Sequence, residues 1–164
     1  MALFSVVIPV IIRTEGGYVN DKSDYGGETK YGISSKQYPK VDIKNLTVDT
    51  AMSIIEDDYW TPHYLDKILS QEIANQCLLL IMNMNPFNAI KIIQRAINEN
   101  TRNILTVTID GIMGVKTIDT INSINPFYLM NSIKIQSCIY YLQLTDNDKT
   151  QIPNFRGWIR RVLV

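Results

Sequence analysis

A glycine-rich segment that follows an apolar run is the feature that most constrains the fold of this chain. Apolar residues recur at helical spacing over residues 2–14, which predicts a buried first helix. Five glycines then fall within residues 16–32, and Gly16-Gly17 is suited to end that helix. Because glycine permits tight turns and close approach of other groups, residues 17–33 are predicted to form a loop or a small hairpin. The sequence thus predicts a rigid helix joined to a turn-rich frame.

Two carboxylates and a threonine stand at defined places on this frame. Glu15 closes the helix, Asp24 follows nine residues later, and Thr29 follows five residues after that. Glu15 shares a helix face with Ile8 and Ile11, and a carboxyl group beside an apolar wall holds its proton more readily, as a general acid must. Two carboxyl groups held apart on a rigid frame are what hydrolysis of a glycosidic bond requires. We therefore expect Glu15 to protonate the leaving oxygen, with Asp24 and Thr29 positioning water. The alternative is a helix-end glutamate beside a turn-forming aspartate, neither of them catalytic.

The rest of the chain is mainly helical in pattern. Pro86 is suited to the first turn of a helix, and Asn125-Pro126 opens another. Residues 73–84 are almost continuously apolar, which predicts a central buried helix. We expect helices at about residues 47–59, 73–84, 86–97, 114–122, 126–144 and 152–164. The predicted fold class is therefore mainly α, with one small β excursion near the N-terminus.

The charge balance excludes one broad class of function. The formal net charge is zero, because 16 lysines and arginines balance 16 acidic residues. No general affinity for nucleic acid is expected, since contacts with phosphates dominate such binding. The charges are spread unevenly: residues 1–93 hold 8 basic and 11 acidic residues, whereas residues 94–164 hold 8 basic and 5 acidic ones. This asymmetry is either chance or a basic back half that faces an anionic polymer such as cell-wall material.

Signals for membrane insertion, export and metal binding are weak. No apolar run approaches the roughly 20 residues that cross a bilayer, so no stable membrane insertion is expected. Residues 1–12 have no basic residue before the apolar run and no small-x-small cleavage site, so we expect a helix and no cleaved export signal.

Cys77 and Cys138 lie in apolar runs and are expected to be reduced thiols. With a single histidine, His63, we expect no metal site and no cofactor.

Motifs that extend over nearly the whole chain carry a resemblance to a known family. They are Glu15-Gly16-Gly17-Tyr18, Asp24-x-Gly26-Gly27-x-Thr29-x-Tyr31-Gly32-Ile33, Tyr59-Trp60, Ala89-Ile90-Lys91-Ile92-Ile93-Gln94, Asp110-Gly111-Ile112-Met113-Gly114 with Thr117, and Phe155-Arg156-Gly157-Trp158-Ile159-Arg160. In these motifs the chain resembles glycoside hydrolase family 108. That family comprises N-acetylmuramidases, among them phage-type endolysins and enzymes that assist secretion of toxins or other proteins across the cell wall.

The resemblance implies both a fold and a reaction. It implies a lysozyme-like, two-lobed, mainly helical fold with a small β-hairpin or irregular loop region near the N-terminus. Residues 1–94 would form the catalytic region, and residues 95–164 a helical second lobe that resembles the family's peptidoglycan-binding segment, in one structural body. The implied reaction is hydrolysis of the bond between N-acetylmuramic acid and N-acetylglucosamine. Glu15 carries over as the catalytic acid, Asp24 and Thr29 are similar to the acid and threonine of phage-type lysozymes, and we expect inversion at the anomeric carbon.

The same resemblance implies partners and a place of action. The expected partner is bacterial peptidoglycan, and a monomer is expected. Such an enzyme is made in the bacterial cytoplasm and acts in the periplasm or cell wall, with a holin or a secretion system to release it. The residues do not separate a role in phage lysis from a role in protein secretion or toxin release.

Candidate substrate contacts lie on both sides of the predicted cleft. Tyr18, Tyr25 and Tyr31 are predicted to stack on sugar faces. Within residues 78–83 the chain departs from the family pattern, because relatives carry an aspartate where this chain has Leu79. We expect that departure to weaken activity or to alter substrate preference, while Asn83 and Asn85 hydrogen-bond acetamido or peptide groups.

Two other functions stay open at this point. A lytic transglycosylase would use Glu15 alone and displace the sugar oxygen with the substrate's own 6-hydroxyl group. The second alternative is a module that binds the cell wall without catalysis. It is suggested by Leu79, where relatives carry an aspartate. The arginines of the last segment either face anionic muramyl peptides or lie on a solvated helix face; they are Arg156, Arg160 and Arg161.

Overall fold

Helices dominate the structure, as the sequence pattern predicts. The computed structural model describes residues 1–20, 27–101 and 105–163, so Asp24 and Tyr25 of the predicted site lie outside the described residues. Within these ranges the chain forms seven α-helices and one three-stranded antiparallel sheet near the N-terminus. The helices are α1 (Phe4–Glu15), α2 (Val48–Ile55), α3 (Gln71–Asn83), α4 (Pro86–Asn100), α5 (Val115–Ser123), α6 (Pro126–Asn147) and α7 (Ile152–Leu163), and the strands are β1 (Val19–Asn20), β2 (Glu28–Lys30) and β3 (Ile33–Ser34). The prediction of a mainly α fold with one small β region is confirmed.

The starts of the helices follow local capping chemistry. Asn85 accepts a hydrogen bond from the Phe87 amide at 2.9 Å, and Asn125 accepts one from the Phe127 amide at 3.0 Å. In both cases a proline occupies the first helical position, where its missing N–H leaves no donor unpaired. These two starts, of α4 and α6, therefore fall where the sequence predicts them.

One predicted helix changes its geometry before it ends. The helix expected over residues 47–59 is α-helical only to Ile55, and its last turn, Glu56–Trp60, is of the wider π type. That turn carries two consecutive buried aromatic residues, Tyr59 and Trp60. Trp60 packs edge-on against Phe4, with ring centroids 5.5 Å apart. This contact joins the turn to the start of α1.

The small sheet follows directly from the end of α1. Its strand order is β1-β2-β3, and Thr29 at the centre of β2 pairs with Val19 on one side and Ser34 on the other. Tyr31 and Gly32 connect β2 to β3 with φ angles of 54° and 81°. Two consecutive residues with positive φ are typical of a tight two-residue hairpin turn. The predicted hairpin is therefore present.

The core is built around α3, the helix that the sequence predicts to be central. Cys77, Leu78 and Ile81 of this helix are fully buried. The cluster of buried side chains that includes them extends from Ala2 in the front half to Ile133 in the back half. The predicted division at residue 94 falls within α4 and stays a prediction.

The back half ends in two helices that pack against each other. Trp158 of α7 stacks on Tyr141 of α6, with centroids 4.9 Å apart and an interplanar angle of 21°. Lys134, two turns earlier in α6, donates a hydrogen bond to the Leu163 carbonyl at 3.2 Å. These contacts place α7 antiparallel to α6. Among the helices described, none is long and apolar enough to cross a membrane.

Candidate active site

Glu15 is the last residue of α1 and is half-buried. Gly16 follows with a φ of 71°, and its amide closes the helix on the Ile12 carbonyl at 3.2 Å. The Gly16 carbonyl in turn accepts a hydrogen bond from the Tyr31 amide at 3.3 Å. The end of α1 is thereby tied to the turn between β2 and β3, so the helix and the hairpin hold Glu15 between them.

Gly32 lies directly against the Glu15 side chain. A Cβ atom at this position would come within 3.3 Å of the Glu15 Cγ and within 2.7 Å of the Met82 Cε. Its φ of 81° is also one that side chains other than glycine rarely adopt. Glycine at position 32 therefore permits both the positive φ of the turn and the close packing of the Glu15 side chain. This explains why a glycine is needed at this point of the glycine-rich segment.

Asn83 contacts the carboxyl group itself. Its Nδ2 donates to the Glu15 Oε1 at 3.0 Å and to the Leu79 carbonyl at 2.8 Å, so both amide hydrogens are used. The donation to Glu15 fixes the direction in which the carboxyl group points. The Asn83 Oδ1 accepts no hydrogen bond from any residue that the structure describes, which leaves it free to contact a ligand.

The other predicted catalytic residues are positioned less completely. Asp24 lies outside the described residues. Thr29 is half-buried at the centre of β2, and its hydroxyl donates to the Gly27 carbonyl at 3.4 Å. No hydrogen bond joins Thr29 to Glu15. Asn85, predicted as a substrate contact, uses its side chain to cap α4.

The predicted aromatic contacts differ in their exposure. Tyr18 is 38% exposed, and its hydroxyl donates to the Glu28 Oε1 at 2.9 Å. This hydrogen bond to a carboxylate is the main cause that raises the pKa of Tyr18. Tyr31 is half-buried and packs against the core. Tyr25 lies outside the described residues.

Two residues of the back half also face this region. Tyr141 of α6 and Arg161 of α7 line a small cavity together with Leu79 and Asn83. Burial raises the pKa of Tyr141 to about 12, Arg161 opposes that rise, and the charge of Glu15 contributes to it. Glu15 and Tyr141 therefore lie near enough to interact electrostatically. Sequence reasoning missed Tyr141, because polar and apolar residues are mixed around the long helix α6, so its sequence does not mark which side is buried.

Leu79 forms an apolar part of this wall. It is 7% exposed, and its carbonyl anchors Asn83. An uncharged side chain therefore stands one helical turn from the residue that orients Glu15. The departure from the family pattern at this position thus falls beside the proposed acid.

A glutamate at a helix end, held by a glycine turn and an amide on a mainly helical body, is the arrangement expected of a lysozyme-like glycoside hydrolase. Comparisons with known proteins agree. Residues 8–84 match the family described as "Glycosyl hydrolase 108", and residues 88–163 match the one described as "Predicted Peptidoglycan domain". The front half of the chain, residues 8–84, thus matches the glycosyl hydrolase 108 family, and the protein is a glycoside hydrolase that acts on peptidoglycan.

A solved structure shares the whole fold. The structure titled "Structure of Brucella abortus SagA" matches with a TM-score of 0.71 and 23% sequence identity, over 98% of this chain and 93% of that chain. This likeness establishes the lysozyme-like fold that the resemblance implies. No protein of curated function matches the sequence. The predicted fold, family and enzyme class are therefore confirmed, whereas the predicted site residues stay predictions.

Proposed function

We propose that this enzyme hydrolyses the bond between N-acetylmuramic acid and N-acetylglucosamine in peptidoglycan, with Glu15 as the general acid. The observation that carries the proposal is the clamped position of Glu15 at the end of α1. Gly32 packs against its methylene groups, and Asn83 donates to its carboxyl group at 3.0 Å. A general acid needs such a fixed direction toward the oxygen that it protonates.

In the proposed reaction Glu15 gives its proton to the glycosidic oxygen as the bond to the anomeric carbon breaks. A water molecule attacks that carbon from the opposite face, and Asp24 takes the proton that the water loses. Thr29 holds the water by its hydroxyl group. Inversion follows, because the water attacks opposite the leaving group. The support for Thr29 is its place in β2, two residues before the turn that packs on Glu15.

Substrate contacts complete the proposed site. Tyr18 offers an exposed ring at the edge of the sheet, and Tyr31 offers part of its ring at the turn. The free Oδ1 of Asn83 accepts a hydrogen bond from a sugar acetamido group, Asn85 adds a further polar contact, and Tyr25 stacks on a sugar face. Leu79 adds an apolar surface that lowers activity or changes the preferred substrate.

The identity of the cleaved bond is tested by the chemistry of the new ends. Purified sacculi are digested, the soluble fragments are reduced with borohydride, and their masses are recorded. Reduced muramic acid ends establish the proposed muramidase, whereas reduced glucosamine ends overturn the bond assignment. Muramic ends that are lighter by one water and resist reduction identify a lytic transglycosylase instead.

The cellular route is part of the same proposal. The protein acts as a monomer in the periplasm or cell wall, after release by a holin or by a secretion system, in phage-type lysis or in export of a toxin or another protein. Expression of the chain in a bacterium with and without a co-expressed holin tests the first route. Lysis that requires the holin supports it, and equal lysis without the holin contradicts it.

A further inference from the structure

A groove runs along α3 and leads to the Glu15 end of the molecule. Its floor is one stripe of α3, its two walls come from α1 and α6, and its volume is about 340 Å³. The lining residues are Val10, Arg13, Glu72, Asn75, Gln76, Leu79, Met130 and Lys134. At the start of both helices, the backbone of Leu3, just before α1, exchanges two hydrogen bonds with the side chain of Gln71 in α3. At the end of both helices, Asn83 of α3 donates a hydrogen bond to Glu15 of α1. The two helices are therefore parallel, and the groove points toward the proposed acid.

A second cavity continues the groove to the site. Gln76 and Leu79 line both spaces. The second one adds Asn83, Tyr141 and Arg161. This second space is only about 10 Å³, so it is a narrow crevice that joins the groove to Asn83, and a bound chain would lie in the groove itself.

Positive charge dominates this path. Arg13, Lys134 and Arg161 line it, against the single carboxylate of Glu72. Within the described part of the chain none of the three cations forms an ion pair, since the ion pairs found there join Lys67 to Asp66 and Lys149 to Asp146. Three cations against one carboxylate, none of them in an ion pair with a described residue, favour an anionic ligand.

Tyr141 offers a hydroxyl group to a polar ligand beside the groove. Its side chain is only 4% exposed, yet its hydroxyl makes no hydrogen bond with any described residue. Among the described residues, the buried side-chain polar atom without a partner is the Thr14 hydroxyl, so the Tyr141 hydroxyl keeps access to solvent and can contact a ligand. Because burial keeps this phenol protonated, it remains a donor, and a carboxylate or carbonyl oxygen is the partner that suits it.

We propose that this groove binds the stem peptide of peptidoglycan, the short acidic peptide attached to the muramic acid next to the cleaved bond. The inference rests on the proposed function, because it takes Glu15 to mark that bond. While the lactyl carboxyl group of the muramic acid is amide-linked to the peptide, the sugars of the glycan carry no charge, so Arg13, Lys134 and Arg161 contribute little to binding them. The stem peptide carries free carboxylates, which arginine pairs with in a directed, two-pronged manner. Tyr141 donates to a peptide oxygen near the sugar.

The test compares one variant on two forms of the same polymer. Arg13→Gln/Lys134→Gln removes two cations of the groove and leaves Glu15, Asn83 and Gly32 untouched. Arg95→Gln/Lys116→Gln is the matched control, since both side chains are exposed and neither lines the groove. The substrates are glycan strands that retain their stem peptides and the same strands after an amidase has removed them, and kcat/KM is measured on each.

The expected result is a loss that depends on the peptide. The groove variant should lose roughly tenfold in kcat/KM on peptide-bearing strands, the size that two partly exposed charge contacts supply, and clearly less on the bare strands, which keep only the lactyl carboxylate that the amidase frees on each muramic acid. The control should match the parent on both. An equal loss on both substrates, or no loss on either, overturns the stem-peptide site.

Failure of the proposed function gives a different pattern. If the parent protein cleaves neither substrate, the muramidase proposal falls, and the groove is then tested by binding alone. The probe is the free tetrapeptide L-Ala–D-Glu–diaminopimelate–D-Ala, measured by calorimetry with the parent and the groove variant. Binding that the variant weakens upholds the groove, and absence of binding to the parent overturns it.

Discussion

Glu15 depends on neighbours that are close in space and distant in sequence. The Asn83 amide that orients it lies 68 residues away along the chain. Gly32, which packs on its methylene groups, comes from the hairpin. These two contacts aim the Glu15 carboxyl group, so their loss should reduce catalysis more than stability.

Asn83→Ala tests the first contact. It removes the N–H that fixes the Glu15 carboxyl group, so kcat should fall roughly tenfold, a part of what general acid catalysis contributes, with little change in KM. Steady-state kinetics on solubilised peptidoglycan provides the measurement. Asn88→Ala, which removes an amide bonded to the Tyr140 hydroxyl, is the control and should keep the parent kcat. An unchanged kcat in Asn83→Ala contradicts the orienting role.

Gly32→Ala tests the second contact. The new Cβ would meet Met82 and Glu15, and the φ of 81° disfavours alanine, so the free energy of unfolding should fall by about 1–2 kcal/mol. The displaced carboxyl group should also lower kcat/KM, by up to roughly 100-fold, because small misplacements of a catalytic group have large effects. Gly17→Ala is the matched control, since a Cβ there meets nothing within 4 Å. Equal activity of the two variants would refute the close-packing argument.

At the scale of the element, one family motif has a structural explanation. Gln94 of α4 is 1% exposed and donates to the Asp110 Oδ1 at 2.7 Å and to the Ile112 carbonyl at 3.1 Å. Its Oε1 accepts from the Gly111 amide at 2.9 Å. This network fastens the Asp110–Gly114 segment to α4 and thereby sets the start of α5. The hydrogen bond from Gln94 is also the main cause that lowers the pKa of Asp110.

Gln94→Ala should therefore destabilise the protein without disabling it. It leaves the buried Gly111 amide without a partner, which should lower the free energy of unfolding by about 2–3 kcal/mol. Urea unfolding measures the change, and Gln143→Ala, at an exposed position of α6, should stay within about 0.5 kcal/mol of the parent. A catalytic role for the motif would instead appear as lost activity at full stability.

Local signals explain which elements the sequence predicted well. The starts of α4 and α6 depend on an asparagine cap and a proline within two residues, so the information is local. The π turn at Glu56–Trp60 depends on burying Tyr59 and Trp60 together, which is a tertiary demand that periodicity does not carry. In the same way, Glu15 and Asn83 each stood out in the sequence, but their contact did not. Tyr141 was missed because its significance comes only from what surrounds it.

At the scale of the whole molecule, buried neutral groups from both halves tie stability to pH. Burial raises the pKa of the Cys77 thiol and of the Tyr141 phenol, each to about 12. Burial and hydrogen bonds with Tyr59 and Asp58 also raise the pKa of Tyr38. In the unfolded chain these groups ionise near pH 8.5–10. The folded state therefore holds protons that the unfolded state releases, and this contribution to stability is present below about pH 9 and is lost as the pH rises toward 12.

Thermal unfolding between pH 8 and pH 11.5 tests this linkage. The Tm should fall steadily above about pH 9, and Cys77→Ala should fall less steeply, because one buried group that resists ionisation is gone. Parallel curves for the parent and Cys77→Ala would show that this thiol does not contribute. A flat curve for both would contradict the linkage as a whole.

The central claim is that Glu15 is the acid of a peptidoglycan hydrolase, and Glu15→Gln tests it most directly. The parent and the variant are incubated with purified sacculi, and both released muropeptides and protein bound to the sacculi are measured. The parent should release fragments, Glu15→Gln should release none above background, and both should bind the sacculi equally. Undiminished release by Glu15→Gln would contradict the claim, and so would binding without release by the parent on several wall types.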